Sequence, residues 1–593
     1  MEIALAQIRP AKADYAENLK RIGAVMAQVG GWPRPPGLVI FGETVMSGYF
    51  LEGGVRDAVV TAGTLFRDLQ AVHEAAGVAP MDLCLGFYEA RRGRIFNSAL
   101  YAEMGGDNPG IRHVHRKVFL PTYGMFDEER FVDAGTTVQA FDTRWGRAAI
   151  LICEDVWHSA AATIAALDGA DFLIVPSASP ARGIEPTASG SINSKDAWER
   201  IVRRVAEEHG VYLALVQIVG FVGGKGFQGG SALVGPDGVV LAEAPVLDEA
   251  IVTGRFDRRR LMQARADQPL LSDLEVALPH LLRASSDTAR PAVAIDGPSG
   301  AIPRVEPSTP AAHPVVTPAA AVDPLAINAP LVERWLVAFL REEVTRRRGF
   351  DKVVIGLSGG VDSATTAALA VRAFGADNVM AVRLPYCTSA TESGAHAQVV
   401  ADALGLDLLT IDISQAVDGY HAAAANGGDS TSRGNVMARL RMIALFDLSA
   451  KYRALPLGTA NKTERLLGYF TWHADDAPPV NPIGDLFKTQ VLALARHLGI
   501  PDAIVEKPAT ADLVQGQTDE GDLGIAYARA DLILHWTLSG RAECEIVEYG
   551  FSPDEVGLVK RRLDSTHWKR RLPTVAMLSR TAIGESYLRP VDY

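Results

Sequence analysis

Short apolar runs alternate with amphipathic stretches through residues 1–280. The runs predict strands at Glu2–Ile8, Leu38–Gly42, Leu83–Tyr88, Asn97–Tyr101, Arg147–Ile152, Phe172–Val175, Val211–Ile218 and Ser231–Val234. Apolar positions at helical spacing predict helices at Glu17–Val29, Thr64–Ala76 and Ala197–His209. Such alternation predicts an α/β sandwich. The pattern then stops. Residues 285–324 are rich in Pro and Ala with neither period, which marks a linker, either a tether or a strap laid over one domain. Order resumes at Leu325. Leu331, Trp335, Phe339, Leu340 and Val344 recur at three and four residues and predict an amphipathic helix, whose C-terminal dipole the arginines at 346–348 complement. Strands at Lys352–Leu357, Asn378–Leu384 and Leu408–Ile413, with a helix at Ala364–Ala373, predict a doubly wound parallel sheet. Such a sheet binds ligands at the carboxyl ends of its strands.

Size and charge narrow the picture. A chain of 593 residues exceeds one core, so two or more domains are expected. The hydrophobic fraction of 48% and charged fraction of 22% describe an ordinary globular protein. A net charge of −12 argues against a broad nucleic-acid surface. Met1-Glu2-Ile3 opens directly on a strand without a basic n-region, and no apolar run is long enough for a membrane span. Cys84, Cys153, Cys387 and Cys544 are scattered, with no CxxC, so neither a zinc framework nor a disulfide scaffold is expected. A cytoplasmic location with individual thiols is the expectation.

Two constellations carry chemistry. Glu43 follows LVIFG, Lys117 lies in HRKVFLPTYG, and Cys153 follows RAAILI. A strand ending in a lone Cys presents a thiol at the sheet edge. It attacks an amide only as thiolate, which requires a base and a nearby cation, here Glu43 and Lys117. Spacing alone leaves open a buried structural cysteine. The second constellation is SGGVDS, Ser358–Ser363, which a strand enters and a helix leaves. Glycines there let the backbone approach an anion at a helix N-terminus. No GxxxxGK[ST] occurs, so this is not a Walker loop. GGKGF at 223–227 reads as a flexible loop.

Resemblance sharpens both. FGETVMSGY, HRKVFLPTYGMFDEER, ILICEDVWH and FQGGSALVGPDG resemble signature stretches of the nitrilase (carbon–nitrogen hydrolase) superfamily across 1–280. This implies a four-layer αββα sandwich with a Glu43–Lys117–Cys153 triad. In the superfamily's glutaminase branch, Tyr123 and Ser179 match glutamine-holding positions. Glu185 falls where many of those glutaminases carry lysine, and is included among the glutamine-facing residues as a departure. SGGVDS resembles the pyrophosphate loop of enzymes that split ATP between the α- and β-phosphates.

RGNVMARLRM, GTANKTERLLGYFTWHADDAPPVNPIGDLFKTQV, EKPATADLVQGQTDEGDLG and HWKRRLP, in that order, resemble the NAD synthetase family over 325–593, in its glutamine-dependent form. The implied reaction is ATP-dependent amidation of deamido-NAD through an adenylate, with glutamine as ammonia source. The resemblance assigns ATP to Leu357, Ser358, Gly359, Gly360, Val361, Asp362, Ser363, Thr459 and Lys488. It assigns Mg²⁺ to Asp362 and Glu464, and deamido-NAD to Asn435, Glu464, Asp475 and Lys569. It also suggests a homo-oligomer, while the charge and the lack of a long apolar run argue against nucleic acid and membrane as partners. Where many members carry Lys-Tyr-Gly-Asp, this chain has Trp472-His473-Ala474-Asp475. His473, Asp475 and Asp476 read as a substrate-facing loop or, less favoured, a metal site. Two rival readings stand beside this one. The first is another glutamine-fed amidotransferase that splits ATP, including one acting on tRNA. The second is a binding module without activity.

Overall fold

The computed structural model describes residues 1–571 apart from 188, 223, 289–322, 388–390, 425–428 and 511–517. The N-terminal half contains β1 (Glu2–Gln7), β2 (Leu38–Phe41), β3 (Met81–Arg91), β4 (Arg94–Met104), β5 (Gly110–Arg116), β6 (Ala140–Thr143) and β7 (Gly146–Ile150). It continues with β8 (Phe172–Ser177), β9 (Tyr212–Gln217), β10 (Val219–Val222), β11 (Lys225–Gln228), β12 (Ala232–Val234), β13 (Val240–Glu243) and β14 (Ala250–Arg255). Two six-stranded sheets result, in the orders β14-β1-β2-β3-β4-β5 and β13-β12-β9-β8-β7-β6. Each has a parallel centre flanked by antiparallel strands.

Strand alternation explains the layers. On β1, Ile3 and Leu5 face the second sheet, where Ile150, Phe172 and Ile174 meet them. Ala4 and Ala6 face the other way, against helices α1 (Tyr15–Gly30) and α2 (Ala62–Ala76). The second sheet turns Ala149, Leu173 and Leu215 toward α3 (Ser159–Leu167) and α4 (Asn193–His209). The order is helix, sheet, sheet, helix: the four-layer αββα sandwich. Both faces of the central strands are covered, so they read as continuous apolar runs. The strand read at Asn97–Tyr101 runs from Arg94 to Met104, and the 223–227 segment read as a loop is partly β11, paired with β10. Three glycines suggest mobility there, but antiparallel pairing satisfies the backbone from Lys225 onward.

Helices α5 (Arg258–Asp267) and α6 (Leu270–Thr288) follow, so the first four residues of the stretch read as a linker close a helix. The rest of that stretch, 289–322, lies outside the described residues.

Helix α7 (Ala329–Leu340) opens the second half. Its apolar residues form two faces, not one stripe. Val332 and Leu340 enter the core of the second half. Leu331 packs with Ala181, Ile192 and Leu247 of the first half, and Trp335 and Phe339 set their rings against Phe221. The same seam carries Asn328 N–H on the Ile184 carbonyl at 2.8 Å and an Arg9–Glu342 ion pair at 3.2 Å. Arg347 and Arg348 pair with the buried Glu343, and Arg348 also donates to the Glu343 carbonyl. They therefore neutralise an acid as well as a helix end.

A four-stranded parallel sheet follows, built from β15 (Lys352–Gly356), β16 (Val379–Arg383), β17 (Leu408–Thr410) and β18 (Ala454–Pro456). Its order β17-β16-β15-β18 reverses direction at β15, which makes it doubly wound. Val353 and Ile355 face helix α8 (Val361–Phe374), while Val354 faces the long helix Ser430–Tyr452. β18 is only three residues long and carries a proline, so its pattern was too short to predict.

Within the first sheet, β3 passes closely beside the turn that follows its neighbour β2. A Cβ on Gly86 would meet the Thr44 amide nitrogen and lie 2.7 Å from Glu43 Cα. Gly86→Ala should therefore destabilise by about 1–3 kcal/mol through overpacking, read by urea unfolding. Gly63→Ala is the control: nothing lies within 4 Å of its Cβ, and it sits in a helix. It should be neutral or stabilising by up to about 1 kcal/mol. Equal stability of the two variants would contradict this packing.

Candidate active sites

In the first half, three chain segments converge between the sheets. Glu43 follows β2, Lys117 follows β5 and Cys153 follows β7. Glu43 and Lys117 are 0% and 1% exposed, while Cys153 is half-buried and so reachable. Lys117 Nζ donates to Glu43 Oε1 at 2.8 Å and to Glu128 Oε2 at 2.7 Å. Asn97 on β4 donates to Glu43 Oε1 at 2.8 Å and also to Glu128. The hydroxyl of Tyr49 reaches Glu128 at 3.0 Å. Glu43 Oε2 is buried without a protein partner, leaving one carboxylate oxygen free to take a proton.

The electrostatics suit proton transfer. Burial raises the Glu43 carboxyl above its ordinary range; Lys117 opposes this and Glu128 adds to it. Burial opposes the charge of Lys117, but Glu128 and Glu43 hold its ammonium well above the usual lysine range. Desolvation and then Glu43 push the Cys153 thiol up, against Lys117, the Ser177 hydroxyl at 3.3 Å and the Ala178 amide. The resting thiol is protonated, with a base and a cation beside it. Cys153 adopts φ +45°, a left-handed conformation that costs a non-glycine residue about 1–3 kcal/mol.

The three residues expected to face glutamine lie on separate segments. Tyr123 is exposed, with its hydroxyl on Glu154 at 3.0 Å. Ser179 is buried, accepts from Trp198 Nε1 at 2.8 Å and donates its amide to Gln217. Glu185 lies exposed on a turn and accepts from Asn193 at 2.8 Å; burial lowers the His535 imidazole of the second half, and the charge of Glu185 opposes this. Sequence reasoning missed Glu128, Asn97, Tyr49 and Ser177. Glu128 lies within MFDEER, where neighbouring acids mask the one that is buried.

In the second half, a cavity of about 520 Å³ opens at the carboxyl ends of β15 and β16. Leu357, Ser358, Gly360, Val361, Asp362 and Ser363 line it. Gly359 takes φ +78°, and a Cβ there would lie 2.5 Å from the Ser393 carbonyl oxygen, so only glycine fits. Ser358 and Ser363 bond to each other at 3.1 Å, and α8 starts without a side-chain cap, leaving its first amides to an anion.

Asp362 pairs with Lys488 and accepts from Asn461 at 3.0 Å. Asn461 and Glu464 cap one another, a spacing readable as a capping box. Burial, and then the charge of Asp362, raises the Glu464 carboxyl well above its ordinary range. Lys488 is 3% exposed; burial opposes its charge, but Asp362 and Glu464 hold it above the usual range. Thr459 and Asp475 line the same cavity, as does Asp519, which sequence reasoning did not single out.

Asn435 and Lys569 flank this cavity instead of lining it. Asn435 accepts from the Thr471 hydroxyl at 3.0 Å, and Lys569 donates to the carbonyls of Gly468 and Phe470 at 2.9 and 3.1 Å. Both brace the turn bearing Asp475. The Trp472 ring lies tilted against His473 at 3.9 Å and meets Trp568 edge-on at 5.2 Å. Among the described residues, no group of three His, Cys, Asp or Glu is placed to hold a metal, so His473, Asp475 and Asp476 do not form one.

Comparison with known proteins follows the same division. The Carbon-nitrogen hydrolase family model matches residues 2–266, and the NAD synthase model matches residues 332–573. An NH(3)-dependent NAD(+) synthetase of Chlorobaculum parvum is 45% identical over 264 residues, 44% of this chain and 95% of that protein. Its counterpart from Chlorobaculum tepidum is 46% identical over the same shares. The solved glutamine-dependent NAD+ synthetase from Acinetobacter baumannii, in complex with ADP, aligns at TM-score 0.69 and 23% identity, over 99% of this chain and 98% of that one. That from Cytophaga hutchinsonii aligns at TM-score 0.68 and 15% identity, over 96% and 93%. At those identities the two solved structures share the fold. The chain thus belongs to the NAD synthase family, its synthase part preceded by a carbon-nitrogen hydrolase domain.

Proposed function

We propose that this chain is a glutamine-hydrolysing NAD synthetase: it amidates deamido-NAD with ammonia released from glutamine, at the expense of ATP. One observation carries the reading. A synthase part akin to ammonia-using enzymes is preceded here by a buried Glu–Lys–Cys site able to release ammonia from an amide. At that site Glu43 takes the Cys153 proton as sulfur attacks the carboxamide carbon. Lys117 stabilises the oxyanion, and Glu43 returns the proton to the departing ammonia. Water then hydrolyses the thioester, with Glu43 again as base, and glutamate leaves.

At the second site the substrate carboxylate attacks the α-phosphorus of ATP. The amides of 358–363 and α8 receive the pyrophosphate, and Lys488 offsets its charge. Ammonia then displaces AMP from the adenylate. Asp362 and Glu464 offer hard oxygen donors whose mutual repulsion already raises Glu464, and such a pair fits Mg²⁺. Bound there, the ion would neutralise phosphate charge. Asp475, with Asn435 and Lys569 behind it, forms the wall we assign to deamido-NAD. Ammonia lost to water is protonated near neutral pH, so a protected passage across the seam between the halves belongs to the proposal.

Three measurements test this. Cys153→Ala should abolish glutamine hydrolysis and glutamine-driven NAD formation, while ammonium-driven synthesis stays within a few-fold of wild type. Retained glutamine-driven synthesis would show that the nucleophile is wrong.

Asp362→Asn should lower synthesis from glutamine and from ammonium alike, by at least ~10²-fold, the usual order for losing one electrostatic group. A near-normal ammonium-driven rate would remove Asp362 from the site.

The third is a pH profile. Glu43 must be ionised to act, and burial raises its carboxyl, so kcat/KM for glutamine should climb with pH through a midpoint above the ordinary carboxylate range. Glu128 contributes to that rise through like charge, so Glu128→Gln should shift the midpoint to lower pH while reducing kcat. A midpoint that stays put or moves up would contradict the assignment.

A further inference from the structure

We infer that Asp155 is a positioning residue of the Cys153 site, holding the lysine loop and the nucleophile turn in one frame. The inference deepens the glutaminase half of the proposed function and relies on it for the substrate. Asp155 is 0% exposed and lies two residues after Cys153. Its carboxylate ties two stretches of chain together, 115–119 and the turn at Ile152. Oδ1 accepts the amides of Val118 at 2.9 Å and Phe119 at 3.0 Å. Oδ2 accepts the amide of Ile152 at 3.0 Å and meets Nε2 of the buried His115 at 2.9 Å.

Lys117 therefore sits between two residues, His115 and Val118, that are both anchored on Asp155. Cys153 sits between Ile152 and Asp155 itself, whose own amide returns to the Ile152 carbonyl at 3.0 Å. That reciprocal pair closes around a residue at φ +45°, a conformation that persists only where its surroundings over-determine it. Both carboxylate oxygens are committed in this way, and the hydrogen bonds of Asp155 run to backbone amides and His115. It acts on the chemistry through the separation of thiol and ammonium. A shift of about 1 Å in such a separation can cost about 10²-fold in rate.

Asparagine cannot replace this group. It offers one oxygen and one NH₂, and amide N–H groups approach from both sides, so one donor must face another. In the full chain, Asp155→Asn should lower kcat for glutamine hydrolysis by about 10²-fold with KM within a few-fold. Ammonium-driven NAD synthesis should stay within a few-fold of wild type, which establishes that the chain is folded.

A second readout needs no glutamine. Iodoacetamide should alkylate Cys153 more slowly in Asp155→Asn, with the exposed Cys387 and Cys544 as internal references followed by mass spectrometry. His115→Gln, which keeps a side-chain N–H, should retain more hydrolysis than His115→Leu. An Asp155→Asn protein whose kcat or Cys153 alkylation matches wild type overturns the inference. So does one that loses both activities together while His115→Leu hydrolyses glutamine normally. If wild type itself hydrolyses no glutamine, the proposed function fails, and the alkylation comparison still decides the role of Asp155.

Discussion

Burying an ammonium is tolerable only where carboxylates surround it, and each half of this protein is built around one such lysine. Lys117 lies between Glu43 and Glu128 in the seam of two sheets. Lys488 lies against Asp362, with Glu464 close by, at the switch point of a third. The stabilisation is mutual but unequal: two acids around one cation leave a surplus negative charge. At the first site burial raises the Glu43 carboxyl, Lys117 opposes this and Glu128 adds to it, which suits Glu43 to the proposed role of base. At the second, burial and then the charge of Asp362 raise Glu464, and the two carboxylates offer oxygens suited to a divalent cation.

The scaffolds follow from this requirement. Central strands covered on both faces give rigid ends from which Glu43 and Cys153 project, Lys117 follows the edge strand β5, and Gly86 lets β3 pass close to Glu43. The seam between the halves is more apolar than charged, with Leu331, Trp335, Phe339 and Phe221 at its centre and Arg9–Glu342 at one side. Such a contact fixes the halves relative to each other more firmly than exposed ion pairs would.

Much of this was legible in the sequence, for physical reasons that also explain what was not. Two glycines after VVIGLS announce the anion loop, because Gly359 takes a positive φ, while the lone Cys after RAAILI drew its nucleophile reading from resemblance and not from spacing. The central strands were read nearly residue for residue, because burial on both faces leaves a continuous apolar run. Edge strands such as β5, GIRHVHR, mix polar and apolar residues and gave no run to read. Glu128 was hidden because burial of one acid among Asp127, Glu128 and Glu129 depends on the fold. The two faces of α7 looked like one stripe, since periodicity reports apolar positions and not what they touch. The strand at Lys225–Gln228 was read as part of a flexible loop because glycine content speaks of freedom while strand pairing removes it.

The central claim is that ammonia made at Cys153 is consumed at the cavity above Asp362 without equilibrating with solvent. Synthesis with glutamine labelled at its amide with ¹⁵N, in a large excess of unlabelled ammonium chosen below its own saturating range, tests this directly. Mass spectrometry of the NAD formed should find the carboxamide nitrogen predominantly ¹⁵N. A label diluted to the isotopic ratio of the bulk ammonium would contradict the account.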